Sequence, residues 1–153
     1  MSLDATDQAI LEVLRTDGRI TNADLAERVN LSASACLRRV RALESAGVIL
    51  GYVALVDSAA LGRATTVFVE ISLDSQQESH LDAFEAAIAK CPEVVRCHLM
   101  TGEFDYLVQV DCADVVDYER IHRTQLALLP RVARVRSSFA LRQVCDRMTD
   151  RAP

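Results

Sequence analysis

The chain has 153 residues, half of them hydrophobic and a quarter charged, the composition of ordinary globular domains. That length holds one domain or two small ones. The absence of any run of about 18 apolar residues excludes a membrane-spanning helix. The first six residues, Met1 to Thr6, lack the basic-then-apolar pattern of a secretory signal, so a cytoplasmic protein is expected. A net charge of −5 weighs at first against a nucleic-acid partner. Phosphate contact, however, needs only a basic face, so the placement of the arginines decides. The five cysteines are irregularly spaced with no CxxC pair, and buried free thiols without a metal are the expectation.

Taken in order, Asp4 and Asp7 suit a helix start, where carboxylates meet free backbone N–H groups. Ile10, Leu11, Val13 and Leu14 follow with helical spacing, and Gly18 ends the helix. Thr21-Asn22-Ala23-Asp24 has the capping-box pattern for a second helix burying Leu25, Ala26 and Val29. After the turn Asn30-Leu31-Ser32, Ser32 caps a third helix from Ala33 to about Ala46, stopped by Gly47. Two helices joined by a turn of about three residues have helix-turn-helix spacing.

The third helix carries the chemistry. Cys36, Val40 and Leu43 share one face, at about 100° per residue. Ser34, Arg38, Arg41 and Ser45 lie roughly opposite, with Leu37 and Arg39 on the flanks. Small residues at its start allow close approach to a major groove, and arginines pair with guanine or phosphate. Ser32, Ser34, Leu37, Arg38, Arg39 and Arg41 are therefore the candidate DNA-binding residues. A charge run alone usually marks a solvated surface; its place on the second helix of the motif favours recognition.

Residues 49–63 read as a linker: an apolar, β-prone strand, available to pair with a second subunit, then a hinge of loop composition. From residue 64 the order is strand, helix, strand, strand, helix, strand. Thr65 to Leu73 is the first strand. Ser75 and Glu78 form a capping-box pattern before a helix with the stripe Leu81, Phe84 and Ile88. Val95, Cys97 and Leu99 alternate with Arg96, His98 and Met100. Thr101 to Asp105 makes a hairpin into Tyr106–Val110. Asp114 opens a helix with the stripe Tyr118, Ile121, Gln125 and Leu128. Val135, Phe139 and Leu141 mark a last strand. The βαββαβ order predicts a four-stranded antiparallel sheet with two helices on one face and an open, apolar face that favours dimerisation. The class is α+β: a helix-turn-helix over 1–48, linker 49–63, a βαββαβ ferredoxin-like domain over 64–145 and a tail over 146–153.

With these residues the chain resembles the Lrp/AsnC (leucine-responsive and asparagine) family of bacterial and archaeal transcriptional regulators. The matching positions are Leu3-Asp4, Asp7, Ile10-Leu11, Leu14 and Gly18-Arg19 at the start. Leu31-Ser32, Cys36, Arg39-Val40, Leu43-Glu44 and Gly47-Val48-Ile49 match the recognition helix and its end. Tyr52, Asp57 and Leu61-Gly62 match the linker, and Gly102, Asp105-Tyr106 and Leu129-Pro130-Arg131-Val132 the second domain. Arg131 stands where the family often has glycine, and Ala33 where a proline is common. The resemblance implies a winged helix-turn-helix, no cofactor, an amino-acid effector, and dimers that assemble further, commonly to octamers. It places the effector at Met100, Thr101, Gly102, Asp105 and Tyr106. Gly102 brings N–H groups close to a carboxylate, and Asp105 faces an ammonium or orients the loop. Without the resemblance, Gly102 and Asp105 read as turn formers.

Three other readings stay open. An enzyme would need a nucleophile and base or paired carboxylates in one cleft, and His80, His98 and His122 lie on different elements. A redox- or metal-responsive regulator would use the cysteines through depressed thiol pKa values; Arg96 beside Cys97 is the one hint. An architectural DNA binder would carry no effector.

Overall fold

The computed structural model describes residues 2–145, so the expected tail lies outside the described residues. Two compact units are present, one formed by residues up to Leu55 and one spanning Val56–Gln143.

The first unit consists of α1 (Ala5–Thr16), α2 (Asn22–Arg28) and α3 (Ala33–Ser45). Each start is capped by the residue its sequence offers. Asp4 accepts the Asp7 N–H at 2.8 Å and Asp7 reaches back to Asp4, while Thr21 caps Asp24 and Ser32 caps Ala35. The α3 end is a Schellman turn: Gly47 and Val48 donate to Glu44 and Leu43, with Gly47 at φ +67°, where a Cβ is unfavourable. Ile10, Leu25, Ala26, Cys36 and Leu43 form the buried core.

Past α3 the expected linker strand is not formed. Ile49 packs against the core, but residues 50–57 have no regular structure, and Leu50 and Val53 are 94% and 87% exposed. A strand needs a neighbour to complete its hydrogen-bond ladder, and this unit contains only helices among its described residues.

The second unit follows the order β1 (Thr65–Leu73), α4 (Glu78–Ile88), β2 (Val94–Leu99), β3 (Tyr106–Cys112), α5 (Val115–Thr124), a short 3-10 turn (Leu126–Leu128) and β4 (Val132–Phe139). The sheet order is β2-β3-β1-β4 and every pairing is antiparallel, the ferredoxin-like arrangement expected of a βαββαβ chain. Alternation puts Val67, Val69, Ile71 and Leu73 of β1 beside Tyr106, Val108, Val110 and Cys112 of β3, under Phe84 and Ile88 of α4 and Tyr118 and Ile121 of α5. The opposite face is mixed, not apolar: Phe68 is 41% exposed, but Glu70, Gln109, Arg134 and Arg136 share that face by register.

Four local expectations are corrected. A bulge between Val94 and Arg96 breaks the β2 alternation, so Val94, not Val95, joins Cys97 against the core. Helix α4 starts later than the capping box requires, and Ser75 accepts the Gln77 N–H instead. The chain turns into the 3-10 segment after α5, so Leu126 is buried and Leu128 is 73% exposed. Strand β4 ends at Phe139, leaving Leu141 exposed.

Candidate functional site

The first candidate surface is α3. Ser32, Ser34, Leu37, Arg38 and Arg41 are all exposed, and neither Arg38 nor Arg41 has a salt-bridge partner among the described residues. The start of α3 is fixed from α2, where the Asn22 side-chain amide donates to the Ala33 carbonyl at 2.8 Å. The outward arginines are thus carried on a helix whose register and approach are set by the motif, as groove reading requires.

Arg39 stands apart from this set. Its Nη1 lies 2.8 Å from Asp4 and 2.7 Å from Asp7, and Asp7 is buried. The guanidinium closes the capping box of α1 and ties α1 to α3, which withdraws it from the outward face. The Asp7 N–H bond, with the Arg39 contact next, holds the Asp4 carboxyl below its ordinary range. The signal was in the spacing: Cys36, Arg39, Val40 and Leu43 follow the i, i+3, i+4, i+7 stripe, so Arg39 borders the buried face. Sequence reasoning named Asn22 within a capping pattern and Tyr52 within the linker but missed their contacts; the Tyr52 hydroxyl donates to Glu44 at 3.1 Å and its ring lies beside Gly18.

The second candidate is the β2–β3 hairpin. Met100, Thr101 and Gly102 are exposed, with Gly102 at φ +127°, a conformation that excludes a side chain at low cost. The Met100 N–H is taken by the Asp105 carbonyl at 2.8 Å. The next four N–H groups, of Thr101, Gly102, Glu103 and Phe104, meet no protein acceptor among the described residues. Successive backbone N–H groups in a suitable turn conformation make anion-binding concavities.

The side chains at the hairpin base face elsewhere. Asp105 is buried, and its carboxylate accepts the Leu73 N–H and the Gln76 amide, both at 2.7 Å. Its own N–H bonds the Ile71 carbonyl. Both carboxylate oxygens are thus engaged inside the fold. Tyr106 is buried under α4, its ring 4.4 Å from that of Phe84. Its hydroxyl donates to Glu85 at 2.8 Å, and burial, then the Glu85 bond, pushes its pKa well up. The predicted five therefore divide: Met100, Thr101 and Gly102 at the surface, Asp105 and Tyr106 as supports beneath. A groove of about 300 Å³ runs beside Tyr106, lined by Glu85, Ile88, Ala89, Val94, Cys97 and Leu99.

Four of the five thiols do not resemble redox sensors. Burial raises the pKa of Cys36, Cys91 and Cys112 and pushes Cys97 up to about 11, whereas a reactive thiol needs a depressed value. No cluster of three or more metal-capable side chains occurs among the described residues.

Comparison with known proteins matches residues 66–150 to the model of the Lrp/AsnC ligand binding domain and residues 3–49 to a winged helix-turn-helix DNA-binding model. The chain is 42% identical over 146 residues to a leucine-responsive regulatory protein of Rhizobium meliloti, covering 95% of this chain and 94% of that protein. It is also 42% identical to the Bkd operon transcriptional regulator of Pseudomonas aeruginosa, covering 93% of each. A Neisseria meningitidis transcriptional regulator solved in complex with L-Met superposes with a TM-score of 0.89 at 36% identity, covering 95% of this chain and 94% of that one.

Proposed function

This chain belongs to the Lrp/AsnC family of DNA-binding transcriptional regulators, and we propose that an L-amino acid bound at its β2–β3 hairpin sets how it engages its operators. The observation that carries the reading is the run of four unpaired N–H groups from Thr101 to Phe104 around Gly102. Such a run suits a carboxylate, the group that all amino-acid effectors share. The L-Met complex of the Neisseria relative supports the same ligand class. Members of the family are regulators and not enzymes.

Operator reading falls to Ser32, Ser34, Leu37, Arg38 and Arg41, with Arg39 holding the helix from behind. The DNA-binding part covers residues 1–48, residues 49–63 link, and residues 64–145 sense and assemble. The exposed run around Leu50 and Val53 pairs with its copy in a dimer, supplying the missing ladder partner. Paired α3 helices then enter successive major grooves roughly 34 Å apart, and dimers assemble further to octamers. The protein works in the cytoplasm on chromosomal DNA. An effector acts by favouring one assembly or helix placement over another. Selection of binding duplexes from a random library, then anisotropy titrations with and without each amino acid, tests this. At least one amino acid should change the apparent operator affinity; an unchanged affinity across all twenty contradicts the effector reading and leaves an architectural DNA binder.

A further inference from the structure

We propose that Gln76, in the loop between β1 and α4, is a positioning residue that orders the β2–β3 hairpin through Asp105; its effect on ligand affinity rests on the amino-acid reading above. Gln76 is exposed, yet its amide donates at 2.7 Å to an aspartate 29 residues away. The other Asp105 oxygen is held by the Leu73 N–H. A carboxylate bonded at one oxygen keeps a soft terminal torsion, and a second bond at the other oxygen fixes its plane. Gln76 provides that second bond.

Fixing Asp105 fixes the hairpin base. Its carbonyl receives the Met100 N–H at 2.8 Å and its N–H reaches Ile71 at 2.9 Å, so the strand-side anchors of the segment 101–104 converge on one residue. The loop that carries Gln76 is itself tied down. The Asp74 N–H donates to the Arg131 carbonyl at 2.9 Å, and the Asp74 carboxylate lies 3.1 Å from His80 and 3.6 Å from Arg131. Gln76 therefore joins the first turn of α4 and the turn before β4 to the four free N–H groups. Preorganised donors bind an anion without an ordering cost at the moment of binding.

The test is Gln76→Leu, which keeps side-chain bulk and removes the donor, alone and combined with Asp105→Ala, which removes the acceptor. Amide-resolved hydrogen exchange on the full-length protein without added ligand should quicken by about fivefold or more at Met100 and Asp105, the two bonded N–H groups of the hairpin base, the scale of one ordinary net hydrogen bond. Exchange in α5 should stay as in the wild type, which separates local ordering from general destabilisation. Affinity for L-methionine, if the wild type binds it, should fall by a similar factor. Adding Gln76→Leu to Asp105→Ala, where the acceptor is already gone, should change hairpin exchange less than twofold. Unchanged hairpin exchange in the single variant, or an equal effect in both backgrounds, overturns the proposal. A loosened hairpin in a protein whose wild type binds no amino acid supports the positioning role and refutes only the effector reading.

Discussion

Replacing Asp105 by alanine removes a buried carboxylate that two segments share. The variant leaves the Leu73 N–H without an acceptor at a buried position and frees the Gln76 amide. A hydrogen bond to a charged group contributes about 1.5–3 kcal/mol net, and the exposed Gln76 bond falls at or below the lower end. The expected loss is about 2–4 kcal/mol, and in a domain of this size that lowers the melting midpoint by roughly 10 °C or more. Asp105→Asn keeps one acceptor and should lose about half as much. Calorimetry at matched protomer concentration, because assembly also shifts the midpoint, reads the stability. Titration with the amino acids reads the response. Both should fall together, since the same carboxylate holds the fold and the loop. An Asp105→Ala protein that melts with the wild type yet no longer responds would refute this reasoning and put the carboxylate directly against the ligand.

Arg38→Ala should weaken operator binding by about 1–3 kcal/mol and relax the sequence preference at one position; anisotropy against single-base operator variants checks this, and an unchanged preference removes Arg38 from base readout. Because the folded pKa of Asp4 lies below its ordinary value of 3.8, its ionised form stabilises the first unit above that value, and the contribution is lost as pH falls through the lowered one. Arg39→Gln should accordingly move acid unfolding of this unit to higher pH, measured by circular dichroism. Arg131 sits at φ +64°, so Arg131→Gly should be tolerated within about 1 kcal/mol, while the β-branched Arg131→Val should cost more. Iodoacetamide at neutral pH should modify the exposed Cys145 well before the buried thiols; fast modification of Cys97 would revive a redox role.

Much of the fold is legible because local rules agree with the tertiary answer. Asp4, Thr21 and Ser32 cap the helices they precede, and β1 and the Tyr106–Val110 part of β3 read as strands because burial on one face keeps their alternation. Legibility stops where distant groups decide. The β2 bulge at Val95 shifts which side chains meet the core, and nothing local marks it. The strand expected after α3 needs a partner that one chain does not supply. The site divides in the same way. Gly102 announced a turn with a special backbone, but the carboxylate of Asp105 could be placed only once Leu73 and Gln76 lay beside it. Arg39 looked like its neighbours on the helix until Asp4 and Asp7, more than thirty residues earlier, were seen to hold it.

Thermal unfolding of the wild type against each of the twenty amino acids decides whether this regulator answers to one of them at its hairpin. A ligand at 100 times its dissociation constant stabilises by about 2.7 kcal/mol, several degrees for a domain of this size. At least one amino acid should raise the midpoint, and Asp105→Asn should diminish that rise. A midpoint that none of the twenty moves would contradict the effector reading and leave the hairpin as a turn.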